Sequence, residues 1–202
     1  MRHVREASFK EYVTWYLARE RRKRGQGPDP AQTPLDRQIT HMQRSHPAKL
    51  RPWFERARWS IVLLDTVDEA MDLVCVDNWE TRRTGLMTTE GADRRLAGTL
   101  VARARATGYF DNVAVIASNA LEAHYRQDRI SAYRTACPEF YGEDRLMICE
   151  LNAEEQLESP RAKYYLNDGF GRLLSYLYLV INEGLEYRPV EAILAQAHAG
   201  RG

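Results

Sequence analysis

Short apolar runs alternate with polar punctuation along the chain, and the spacing inside each run assigns it. Phe9, Tyr12, Val13, Tyr16 and Leu17 recur at i, i+3, i+4, i+7 and i+8, the stripe that one face of an α-helix presents. Ser8 and Glu11 stand at its start in the S-x-x-E arrangement that satisfies exposed helix N–H groups. The spacing therefore predicts a helix from Phe9 to about Lys23. Gly25-Gln26-Gly27-Pro28-Asp29-Pro30 stops it and forms a linker, Pro34 opens a second helix to about Arg44, and His46-Pro47 breaks that one. Residues 59–64 and 71–76 are short, apolar and β-branched, which predicts two strands paired across the turn at 65–70.

Further along, Leu96, Leu100, Val101 and Ala104 predict a helix within 92–106, ended by Gly108. Residues 113–117 are continuously apolar, as in a buried strand. Asn119 with Glu122 opens a helix to about Tyr133, terminated by Cys137-Pro138. The tail predicts a strand at 145–150, a strand at 163–166, the turn Asp168-Gly169-Phe170-Gly171-Arg172, a helix through 173–181, Gly184, and a closing strand at 187–194. The expectation is an α+β, mixed α/β fold: a basic helical arm at 1–58, packed on or linked to a domain at 59–202. Residues 77–142 form a long middle that is either an insertion or a rearranged half of that domain.

Charge sharpens the division. Residues 1–58 carry 14 Lys/Arg against 6 Asp/Glu, and the remainder carries 15 against 22, although the whole chain is nearly neutral at +1. A basic front implies an acidic partner, nucleic acid or anionic lipid; the body's own acidic surface is an equally physical one. Mean hydropathy is −0.55, and no apolar run approaches the roughly 18 residues of a membrane span. No secretory signal stands at the front, so a cytoplasmic protein is expected, with peripheral contact at the inner face of a bacterial inner membrane left open. Cys75, Cys137 and Cys149 lack C-x-x-C spacing; Cys75 and Cys149 sit in apolar runs as small hydrophobes. His41, His46 and His124 lack a second ligand at metal spacing.

The chemistry concentrates at the D-G-F-G-R turn. Two glycines let backbone N–H groups approach a ligand closely, and the following helix offers its dipole and an arginine to phosphate oxygens. Gly169, Gly171 and Arg172 are thus candidate nucleotide-binding residues together with Asp168; the alternative is a plain strand-to-helix turn. Glu150, at the end of an apolar strand, and Asp168 are candidate Mg²⁺ ligands or general bases. Asp168 is equally placed to cap the helix. Glu154, Glu155 and Glu158 complete the acidic set or form a solvated turn. Arg21, Arg22, Lys23 and Arg24 suit DNA phosphates, and as cations at a helix C-terminus they also have a structural reading. No P-loop, helix-turn-helix or G-x-S-x-G is present.

The order strand, glycine-arginine turn, helix, Pro-Val strand over about the last 60 residues resembles the ParB/sulfiredoxin superfamily. In that superfamily the turn holds nucleotide phosphates. The sulfiredoxin cysteine and the ParB glutamate would both fall at Phe170, so neither chemistry carries over. With its length and basic front, the chain is similar to the plasmid fertility-inhibition members of the superfamily. That resemblance implies an ATPase and DNase, for which the turn and the acidic set offer Glu150, Asp168 and Arg172 as candidate catalytic residues, with ATP and Mg²⁺ as cofactors and DNA bound non-specifically by the basic run. It also implies a block on DNA export through a type IV secretion system. The alternatives are a non-catalytic inhibitor, which would occupy a secretion coupling protein or a membrane surface with the first helix and basic arm, and a small-molecule kinase.

Overall fold

The computed structural model describes residues 1–25, 27–76, 94–110, 129–151 and 161–197. A seven-stranded mixed sheet runs through them, built from β1 (Arg2–Ala7), β2 (Arg58–Leu64), β3 (Val74–Val76), β4 (Arg94–Leu96), β5 (Leu146–Glu150), β6 (Tyr164–Asp168) and β7 (Val190–Gln196). The spatial order is β1-β2-β7-β5-β6-β3-β4. The pairs β7/β5 and β6/β3 are parallel; the others are antiparallel. This is the expected mixture of helices and sheet.

Period-two alternation sends successive apolar side chains of the central strands to opposite faces. Val62, Leu64, Leu146, Ile148, Ala192 and Leu194 enter one core. Trp59, Ile61, Met147, Cys149, Ile193 and Ala195 enter the other. Both faces must therefore be covered, which explains why these strands are continuously apolar. α3 (Val67–Met71), α4 (Ala97–Ala106) and α5 (Phe170–Glu183) cover the first face. α1 (Phe9–Arg24) and α2 (Leu35–Ser45) cover the second. There Tyr12 stacks on Trp59 with ring centroids 4.9 Å apart, an aromatic join between helix and sheet.

Besides β4, a strand at Arg94–Leu96 in the stretch 92–106 expected to be helical, two features depart from the sequence expectation. The strands β2 and β3 do not pair with each other: β2 lies between β1 and β7, and β3 between β6 and β4. The cause is Thr66, whose side chain accepts from the Glu69 N–H while Glu69 reaches back, a capping box that turns the intervening residues into α3. The second feature is β1, an exposed edge strand in a stretch with no apolar alternation. Residues 1–58 thus supply one sheet edge and one helical layer. Gln38 of α2 fastens the linker by donating to the carbonyls of Pro30 (2.9 Å) and Thr33 (2.7 Å). Residues 94–110 likewise join the body through β4 and α4. The expected strand at 113–117, the helix start at Asn119, and Glu154, Glu155 and Glu158 lie outside the described residues.

Candidate functional site

β6 delivers the chain to the D-G-F-G-R turn at its C-terminal end, and α5 departs from it. Gly169 is the N-cap at φ 102°, a left-handed conformation that favours glycine. A Cβ there would also lie 2.4 Å from Leu146 Cδ2. No side chain caps α5, so the capping role open to Asp168 is not taken. At Gly171 a Cβ would fall 2.6 Å from Arg129 Nη1, because that guanidinium lies over the turn. Both glycines of the motif therefore answer to close approach, Gly169 to the Leu146 side chain and Gly171 to a neighbouring cation.

Asp168 is held on three sides by cations from three separate elements. Arg19 of α1 donates to its Oδ2, Lys49 Nζ of the 3-10 turn Pro47–Lys49 lies 3.3 Å from Oδ1, and Arg172 Nη2 of α5 lies 3.5 Å from Oδ2. The side chains of Asp168 and Arg19 are each only 12% exposed. Burial pushes the Asp168 carboxyl up, but Lys49, Arg19 and Arg172 outweigh it and hold the group below the usual aspartate range. Lys49 is placed by its surroundings. Its carbonyl accepts from Tyr12 Oη (2.6 Å) and Asn167 Nδ2 (3.4 Å), and its ammonium donates to the Asn167 carbonyl.

Arg172 is buried, and most of its donors are already engaged. Nη1 donates to the Asp144 carbonyl and Nη2 to the Arg145 carbonyl at 3.1 Å, while Nε is buried without a hydrogen-bond partner. Burial and the neighbouring Arg19 charge pull Arg172 down to about 10. It is neither the exposed charge of a plain turn nor an arginine reaching freely for phosphate. It fixes α5 to the start of β5.

Around this centre lies a cavity of about 730 Å³, within the range of small-molecule sites. Among the described residues, six cationic side chains (Arg19, Arg22, Lys23, Lys49, Arg129 and Arg172) line it against two carboxylates, Asp144 and Asp168. Tyr165, Phe170, Ala48 and Cys75 give it an apolar wall. The basic run of α1 divides here. Arg22 and Lys23 face the cavity with Arg19, at i, i+3 and i+4 on one helical face, and Arg22 lies 3.5 Å from Asp144. Arg21 points away and pairs with Asp29 at 3.2 Å. The Arg24 backbone ends α1.

Glu150 is not brought to Asp168. It sits opposite Tyr164 in the β5/β6 register, four residues along β6 from Asp168, or about 13 Å at the usual strand rise. Its carboxylate accepts from the Ala197 N–H at 3.1 Å. With Glu150 distant and the Asp168 oxygens claimed by three cations, the pair does not fit a shared Mg²⁺ site. Among the described residues no group of three or more His, Cys, Asp or Glu could hold a metal ion. Cys75 is buried, with its thiol raised to about 12 by desolvation, and Cys149 is buried too. His46 packs edge-on against Tyr16 and His41 lies beside it, which are packing roles.

Arg19, Lys49 and Arg129 were not among the sequence candidates. The spacing Arg19, Arg22, Lys23 carried a signal for the first, a cationic stripe on the face also marked by Tyr12 and Tyr16. For Lys49 and Arg129 the sequence carries none. Among the described residues no helix is long and apolar enough to cross a membrane. Compared with protein-family models, with curated proteins and with solved structures, the chain finds no match in any of the three.

Proposed function

We propose that the cavity between α1 and the Gly169–Arg172 turn binds the phosphates of a nucleotide, with ATP as the first candidate. The observation that carries this reading is the gathering of cations: among the described residues six of them, with two carboxylates, line a cavity of nucleotide size. Like charges are brought together at a cost, and a polyanion offsets it. The uncapped N-terminus of α5 adds backbone N–H groups at the same wall. Tyr165 and Phe170 offer apolar surface for a base. Arg19, Arg22, Lys23 and Lys49 are the phosphate-binding residues, and Gly171, lacking a side chain, lets the Arg129 guanidinium lie over the turn.

Hydrolysis of ATP and DNA, and arrest of DNA export through a type IV secretion system at the membrane's inner face, are the setting that the superfamily resemblance implies. We carry them as an extension of the binding reading. Non-specific DNA binding would use the Arg22 and Lys23 face rather than the whole run 21–24. Calorimetric titration of ATP, in EDTA and again with Mg²⁺, tests the binding claim, followed by ATPase and nuclease assays on the same preparation. Micromolar affinity that falls on Arg22→Gln/Lys23→Gln substitution is expected. Absence of ATP binding in either buffer would refute the assignment.

A further inference from the structure

Asp168 stands at the point where a ligand phosphate would be expected. Arg19, Lys49 and Arg172 approach it from α1, from the turn before β2, and from α5, and its side chain is 12% exposed. Three cations on separate elements need an anion to hold them at this spacing; Arg172 also lies 3.6 Å from Asp144, so Arg19 and Lys49 are the two that share the single charge of Asp168. Its two oxygens take the donors that a phosphate's oxygens would take. A metal-holding aspartate would have its oxygens turned to the metal; these are turned to guanidinium and ammonium groups.

We infer that Asp168 is an internal counter-ion, which keeps the cations of the phosphate site in place when the cavity is empty and competes with the ligand for them when it is filled. The inference rests on the cavity being a phosphate site, and it reverses the usual expectation for a carboxylate there. Neutralising a metal ligand or a general base weakens binding or turnover. Neutralising an internal competitor releases Arg19 and Lys49 to the ligand and removes a charge that repels it. Asp168 is accordingly a positioning residue. Nucleotide di- and triphosphates, which carry several adjacent charges, are the ligand class able to displace it.

The test uses inorganic pyrophosphate as probe, in EDTA, against the full chain. Asp168→Asn is expected to tighten pyrophosphate binding by roughly tenfold or more, the scale on which close charge pairs couple, whereas Arg19→Gln loosens it. Should Asp168→Asn not fold, Lys49→Gln/Asp168→Asn restores the local balance and is compared with Lys49→Gln alone; the double variant is expected to bind more tightly. Equal or weaker binding on loss of the carboxylate, with Arg19→Gln still weakening the parent, would overturn the counter-ion role and leave the phosphate site standing. Failure of every protein, parent included, to bind pyrophosphate would overturn the site reading and this inference with it.

Discussion

Two ionic clusters connect α1 to the sheet, and they are built on different charge arithmetic. At the start of α1, Glu11 meets Arg5 and Arg145, and Arg145 meets Glu191 at 2.9 Å: two acids with two bases. At its end, Asp168 meets Arg19, Lys49 and Arg172, with Arg22 nearby on Asp144. The first cluster is balanced and leaves nothing for a ligand. Among the described residues, the second gathers three cations on one carboxylate beside a cavity and two glycines. An ion-pair cluster that closes on itself is a fastening, whereas one with a surplus beside a cavity is a candidate site. Exposure separates them further: Glu11 is 32% exposed and Asp168 12%, so the surplus is held where water screens it least.

The largest effect should come from Arg172→Ala. It removes the donors to the carbonyls of Asp144 and Arg145 that tie α5 to β5 and leaves a void where a long side chain lay, at about 2–3 kcal/mol. Glu11→Gln in the balanced, more exposed cluster should cost under ~1 kcal/mol. Urea denaturation of both variants checks the contrast, and equal losses would erase it.

Next come the glycines. Gly169→Ala meets a positive φ and the buried Leu146, at about 2 kcal/mol. Gly171→Ala meets only the end of the Arg129 side chain, which can swing away. Its effect on stability should be under ~1 kcal/mol, and its larger effect should fall on ATP affinity. Melting curves and titrations of the two variants separate backbone strain from ligand approach.

Acid provides a third contrast. The Asp168 carboxyl titrates below its ordinary value in the folded protein. Its contribution is therefore complete above the unfolded value of about 3.9 and is lost as pH falls through the lower folded one. The urea midpoint should decline across that window, and Asp168→Asn should flatten the decline. An unchanged slope would mean that Asp168 is not the group held down. The smallest effect is expected at Arg21, whose exposed pair with Asp29 contributes under ~0.5 kcal/mol. Arg21→Gln should leave ATP affinity intact, where Arg22→Gln lowers it.

Much of this architecture is legible in the residues. The stripe from Phe9 to Leu17, the apolar runs of β2 and β5, and the glycine-arginine turn are local patterns, and local patterns survive folding. What escaped is of two kinds. β1 is an edge strand of charged residues, so it shows no alternation; α3 is written only in the Thr66–Glu69 box within what otherwise passes for a turn. The Asp168 cluster joins residues up to 149 positions apart, and no spacing rule brings Arg19 and Lys49 to Asp168. The same distance in sequence concealed that Glu150 and Asp168, near one another in the acidic tail, are held at separate ends of a strand pair.

Backbone hydrogen exchange with and without saturating ATP compares the two clusters in one experiment. Slowed exchange confined to residues 169–173 and 19–23, with residues 5–11 and 191–193 unchanged, is the outcome expected of a phosphate site at the cation surplus. Protection centred on the Glu11 cluster, or none anywhere at concentrations that saturate binding, would contradict it.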